Sequence, residues 1–196
     1  MIRSMILFPT LVFLIAVEAG AGEWSDPVVV RRRAEPVVTY RAMLDGDFLV
    51  VEAKHTEGWH TYALDNIERA RERTGKNRPE TELPTRIKVA GGLKIAGNWY
   101  QTRPEDLSQE AIRWYTWGFN ERALFAVRVE RVEGTEAQII VNAQACDAAA
   151  CQMVQGVVLR LLLSTNETEA NPDYTIDRSK LVEVATAEPE KDPDSK

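Results

Sequence analysis

The sequence predicts an all-β protein, a β-sandwich with one or two short helices in its loops. Short Val- and Leu-rich extended segments recur along the chain, turns containing Gly, Asp or Asn separate them, and the helix-like pieces fall between strands without the strand–helix alternation of a parallel sheet. The sequence contains no internal repeat.

Residues 22–35 hold Trp24, the run Val28-Val29-Val30 and Arg31-Arg32-Arg33, and read as an edge strand or a lead-in segment. Residues 36–42 and 48–55 then form two strands around the turn Asp45-Gly46-Asp47, a hairpin. Glu57-Gly58 leads into Trp59-His60-Thr61-Tyr62, where strand alternation puts Trp59 and Thr61 on one face and His60 and Tyr62 on the other. The stretch 65–75 carries an Asp or Asn cap, mixed charges and a closing glycine, and predicts an exposed helix of two or three turns. Residues 85–89 alternate as a strand, Gly91-Gly92 breaks it, and 93–100 is extended again. The stretch 104–112 opens with Pro and acidic residues, as helix first turns do, and predicts a second short helix. Strands at 124–132, 137–145 and 156–163 close the series, which amounts to about eight or nine strands. The folded domain is therefore expected over 36–163, and the polar, Pro-containing residues 164–196 read as a flexible acidic tail.

Residues 1–21 have the organisation of a secretory signal, with Arg3 at the start, an apolar stretch over 5–17 and the small-residue site Ala19-Gly20-Ala21. The apolar stretch is short for a membrane span, so a soluble, periplasmic or otherwise extracytoplasmic protein is expected, and a retained amino-terminal anchor is the competing reading. The roughly 175 residues that follow suffice for one domain with its own core. The formal net charge is −6, and residues 164–196 hold nine acidic against four basic side chains, so the rest of the chain is nearly neutral. Nucleic acid is excluded as an expected partner, because phosphate binding needs a basic face.

The chain has two cysteines, Cys146 and Cys151. On one strand their Cα atoms would lie about 16 Å apart, beyond disulfide reach, and on one helix their side chains would diverge by about 140°. If Cys146 ends a strand and Cys151 begins the next, the four residues between them form a hairpin loop and the cysteines face each other. A disulfide at a hairpin tip follows. Closing so short a loop stabilises a fold by only about 2 kcal/mol, and a domain of this length does not need it. That favours a redox role over a structural staple, although Asp147 gives the thiols no electrostatic help. A third reading recruits His55, His60 and Met153 around the sulfurs for a soft ion such as Cu(I); His60 is better explained by its place in the Gly58-Trp59-His60 motif, and His55, ending a strand, is expected in solvent. No hydrolytic arrangement is present: there is no Gly-x-Ser-x-Gly turn, and Glu105-Asp106 reads as a helix first turn. No cofactor is expected.

The ordered set Gly58-Trp59-His60-x-Tyr62, Leu83-Pro84-Thr85, Trp99-Tyr100, Trp117-Gly118-Phe119-Asn120-Glu121 and the final cysteine pair resembles the amino-terminal periplasmic domain of DsbD-type thiol:disulfide interchange proteins over about residues 36–163. The resemblance implies an immunoglobulin-like β-sandwich in which Cys146 and Cys151 are catalytic, taking electrons from a membrane-embedded thiol reductase and passing them to thioredoxin-fold oxidoreductases, with a link to cytochrome c biogenesis. It also implies an aromatic cap loop over the disulfide, for which Tyr115, Trp117 and Phe119 are the candidates, and Cys151 as the cysteine that bonds to partners. The chain departs from that pattern at Gln152-Met153, where proline is common, and in its longer insert at 66–74. The electron source is expected to be a separate protein. The alternative function is a non-catalytic protein-binding sandwich with a structural disulfide.

Overall fold

The computed structural model describes residues 23–77, 79–163 and 177–184. Its strands in chain order are β1 (Val28–Arg32), β2 (Glu35–Asp45), β3 (Phe48–His55), β4 (His60–Tyr62), β5 (Arg86–Gly91), β6 (Leu93–Thr102), β7 (Glu105–Asp106), β8 (Trp117–Phe119), β9 (Arg122–Arg131), β10 (Glu136–Cys146), β11 (Cys151–Leu162) and β12 (Leu181–Glu183), with one α-helix, α1 (Asn66–Thr74). The first sheet runs β1-β2-β3-β9-β6-β12 and the second β11-β10-β4-β8-β7, with β5 also paired to β10. Neighbouring strands pair antiparallel. The expected two-sheet sandwich is the observed fold.

Alternation builds the core. On β10, Ala137, Ile139, Val141, Ala143 and Ala145 are buried between the sheets, and the residues between them point outward. They meet Tyr40, Leu49, Val51, Phe125 and Val127 of the first sheet in one apolar cluster. Phe125 is fully buried, with the Phe119 ring edge-on to it at 5.6 Å. Trp59 packs against the same cluster and Thr61 is buried, while His60 and Tyr62 share the other face, as alternation requires. Buried Glu52 takes hydrogen bonds from Arg41 and Arg122, so its charge is paired on both carboxylate oxygens.

Two glycines have steric reasons to be glycine. Gly75 ends α1 in the left-handed region at φ 68°, where its amide donates to the Arg71 carbonyl. Gly118 lets β8 approach β4, since a Cβ there would strike the Thr61 carbonyl.

Three expectations need correction. Residues 104–112 do not form a helix: Glu105–Asp106 pair with β8 as β7, and only Glu110–Ile112 make a single 3-10 turn. The Pro and acidic residues read as a helix first turn are compatible with a strand start, and tertiary pairing decided between the two. Residues 177–184, read as part of a flexible tail, return to the domain. There Leu181–Glu183 pair with Tyr100–Thr102 and cover the β6 edge of the first sheet, and Val184 is buried. Residues 22–35 are more than a lead-in, because β1 is an edge strand of the first sheet. The signal-like leader over 1–21 and most of the acidic tail lie outside the described residues. Among the described residues, no helix is long and apolar enough to cross a membrane.

A fourth correction concerns His55. It is buried, with Nε2 2.8 Å from Thr61 Oγ1, and burial pushes its pKa down to about 4. Strand 48–55 continues into the sandwich interior at its end, which the sequence pattern does not reveal. Because the unfolded histidine titrates near 6.5, the neutral form stabilises the fold fully above that pH, and the contribution is lost as pH falls from about 6.5 to about 4. That loss corresponds to about 3 kcal/mol. Urea unfolding at pH 7 and pH 4.5 checks it: His55→Gln loses less stability across that interval than the unsubstituted protein, and equal losses would exclude His55 as the cause.

Candidate thiol-disulfide site

Strands β10 and β11 run antiparallel along their length and end on the pair Cys146↔Cys151, closed by a disulfide with Cα atoms 4.0 Å apart. The loop Asp147-Ala148-Ala149-Ala150 is closed from within. Asp147 Oδ1 accepts from the amides of Ala149 at 2.8 Å and Ala150 at 2.6 Å, and its own amide donates to the Ala150 carbonyl at 2.9 Å. Those two amides hold the Asp147 carboxyl below the usual carboxylate range. The aspartate that looked unhelpful to a thiol is the residue that shapes the tip.

Alternation along β10 puts Cys146, with Gln144 and Asn142, on the outer face of the second sheet, away from the core. It is nevertheless only 3% exposed. A strap over residues 81–85 reaches the sulfurs at this face through Glu82. Gln144 ties the strap down: its Oε1 accepts from the Leu83 amide at 3.0 Å, and its Nε2 lies 2.5 Å from Glu82 Oε2 and 3.5 Å from Cys146 Sγ. Thr85 Oγ1 donates to the Tyr62 carbonyl, and Thr81 Oγ1 to the Tyr115 carbonyl. Buried Asn66, at the start of α1, links the strap to β8: Nδ2 reaches the Glu82 carbonyl at 2.9 Å, and Oδ1 accepts from the Trp117 amide at 2.7 Å. Cys151, first residue of β11 on the open edge of the second sheet, is exposed. One cysteine of the bond is buried and the other is exposed.

The side chains around the disulfide include two acidic groups, Glu82 and Asp147. The Glu82 carboxylate and the two sulfurs lie within 4.8 Å of one another. Burial raises the Glu82 pKa, against a lowering by the Gln144 hydrogen bond. Across the sheet, His60 is the β4 partner of Cys146, with Nε2 3.0 Å from the Tyr62 hydroxyl and its ring edge-on to the tyrosine. Burial lowers the His60 pKa while Asp147 raises it, and burial followed by Glu82 raises that of Tyr62. Leu83 and Met153 expose apolar surface close by, Met153 directly opposite Gln144.

The candidate cap residues occupy three different environments. Phe119 is 3% exposed and belongs to the core, which leaves it no free face with which to cover a sulfur. Trp117 is half-buried against the same core and pairs with Asp106. Tyr115 sits beyond the far end of β8, its hydroxyl donating to Glu110 at 3.0 Å and the Arg73 guanidinium over its ring. The segment that reaches the sulfurs is the 81–85 strap, through Glu82 and its bond to Gln144. Of the residues considered for a soft metal ion, His55 is turned inward to Thr61, and the group gathered at the sulfurs contains Glu82 instead. Sequence reasoning passed over Glu82 and Gln144. Gln144 could have been found two positions before Cys146 on the same strand face, whereas Glu82 arrives from 62 residues away with no periodic signal.

The sequence matches no family model, and it matches no curated protein. Its fold is similar to the crystal structure of the N-terminal periplasmic domain of ScsB from Proteus mirabilis, with a TM-score of 0.53 and 14% identity over 78% of this chain and 55% of that one. The Neisseria meningitidis DsbD N-terminal domain in its reduced form aligns with a TM-score of 0.42 and 14% identity, over 66% of this chain and 86% of that one. The chain spans about half the length of the ScsB structure that it matches. At that identity the likeness is one of fold: this is a β-sandwich of the kind found in the N-terminal periplasmic domain of ScsB.

Proposed function

We propose that this chain is an extracytoplasmic thiol-disulfide exchange module, exported by its leader, that passes electrons through Cys146 and Cys151 from a membrane-embedded thiol reductase to thioredoxin-fold partners. The observation that carries the reading is the asymmetry of the bond: Cys151 is exposed at a sheet edge, and Cys146 is buried beside a strap. A staple gains nothing from presenting one sulfur, whereas exchange requires an approach to one sulfur along the bond and a sheltered place for the other. The fold shared with a periplasmic domain of ScsB supports the compartment.

Each half-reaction balances. A partner thiolate attacks Cys151 Sγ, the new disulfide forms there, the Cys146–Cys151 bond breaks, and its electron pair leaves on Cys146 Sγ. The partner's second thiolate then attacks the partner sulfur of the mixed disulfide and releases Cys151 as thiolate. The partner is oxidised by two electrons, and the two cysteine sulfurs, released as thiolates, take up protons to leave this chain with two thiols; with an oxidised acceptor the same steps run in reverse. The exposed apolar surface of Leu83 and Met153 beside Cys151 suits a protein partner that buries the rim of its own active site there.

Incubation with a reduced thioredoxin-fold protein tests the reading. Alkylation with a mass-tagged maleimide is expected to label two new thiols within seconds to minutes. A bond left intact under those conditions leaves the structural-disulfide alternative.

A further inference from the structure

We propose that Glu82 governs the protonation of Cys146 during exchange, giving the sulfur a proton as the disulfide opens and taking it back as the bond reforms. The inference rests on the exchange reading above and adds a residue to it.

The geometry is a built one. The Glu82 carboxylate lies within 4.8 Å of both sulfurs, and Gln144 Nε2 bridges it to Cys146 Sγ. The strap that carries Glu82 is fixed from three sides, by Asn66 at the Glu82 carbonyl, by Gln144 at the Leu83 amide and by Thr85 at β4. The carboxyl is half-buried and, among the described residues, makes no ion pair; the side chain holding it is the neutral Gln144 amide.

The chemistry follows from where the charge appears. When Cys151 is attacked, the electron pair of the broken bond arrives on a sulfur only 3% exposed, beside a carboxyl group. Two anions there would be desolvated and mutually repelling, and transfer of the carboxyl proton to sulfur removes one of the two charges. Opening thus converts Cys146 to a thiol and Glu82 to a carboxylate; closing returns the proton to Glu82 as the Cys146 sulfur attacks the mixed disulfide. Burial favours the protonated carboxyl from which the cycle starts. The other groups facing it are assigned by their surroundings. The Tyr62 hydroxyl is held neutral by burial, the Asp147 carboxyl is held ionised by two backbone amides, and His60 lies against Tyr62 with burial favouring its neutral form.

Reduction by dithiothreitol tests the proposal, followed from the ordinary carboxylate range at about pH 4 up to about pH 8.5, with each rate divided by the dithiothreitol thiolate concentration so that only the protein's titration remains. For the unsubstituted protein this corrected rate falls about ten-fold as pH rises and Glu82 loses its proton. Glu82→Gln keeps an acceptor for Gln144 but cannot titrate, and its corrected rate is level. Any His60 contribution is present in both proteins and cancels in the comparison. Parallel profiles for the two proteins overturn the role of Glu82 while leaving the exchange reading in place. Failure of both to be reduced at any pH overturns the exchange reading itself.

Discussion

Alanine at Cys151 will cut capture of a thioredoxin-fold partner at least about ten-fold, whereas alanine at Cys146 will preserve it and stop its release. Attack needs a sulfur that can be approached from solvent, and Cys151 is exposed while Cys146 is 3% exposed beside the 81–85 strap. With Cys146 absent, the Cys151 mixed disulfide has no internal thiol to displace the partner, so the adduct persists on a non-reducing gel. With Cys151 absent, the remaining thiol must be reached past Leu83 and Gln144, and adduct formation falls at least about ten-fold, the equivalent of 1.4 kcal/mol in barrier. A partner variant with a single cysteine, presented as its mixed disulfide with 5-thio-2-nitrobenzoate, supplies the disulfide that the remaining thiol attacks, gives up the nitrothiobenzoate as leaving group, and has no second thiol through which to escape. Equal adducts from both variants would mean that the strap does not shield Cys146.

The second large effect lies in the core. Phe125→Ala is expected to destabilise the oxidised protein by about 3 to 5 kcal/mol, because it removes a fully buried ring from between the sheets and leaves a cavity. The ring also forms the edge-on contact with Phe119, which occupies the row Ala145–Thr61–Phe119 across the second sheet, next to the row that carries Cys146. Guanidinium unfolding followed by tryptophan fluorescence measures the loss. A destabilisation below about 1 kcal/mol would mean that the two sheets do not meet at Phe125.

Local chemistry made much of this fold readable. The four residues between the cysteines fit only a hairpin tip, and β10 and β11 meet there in that register. The segment 48–55 is β3 to the residue, and Gly75 ends the predicted helix. Where the reading failed, the deciding interaction was distant in sequence. The stretch 104–112 lost its helix to pairing with β8, and Leu181–Val182, too short a run to be noticed, found the β6 edge. His55 looked like a solvated strand end because the Thr61 that receives it lies in a separate element. The shield over the disulfide was sought among the aromatic residues near 117. Phe119, however, was already committed to the core, and the strap that reaches the sulfurs is polar, held by Gln144 through bonds to Glu82 and Leu83 across about sixty residues of sequence. No periodicity announces such a contact.

The most direct measurement is the reduction potential of the Cys146–Cys151 pair at pH 7, obtained by equilibration with a thioredoxin of known potential. An exchanging bond lies near or above the roughly −270 mV of thioredoxin, so that electrons can pass to and from partners of that fold. A value below about −300 mV would describe a bond that thioredoxin-fold partners do not open, and would contradict the account.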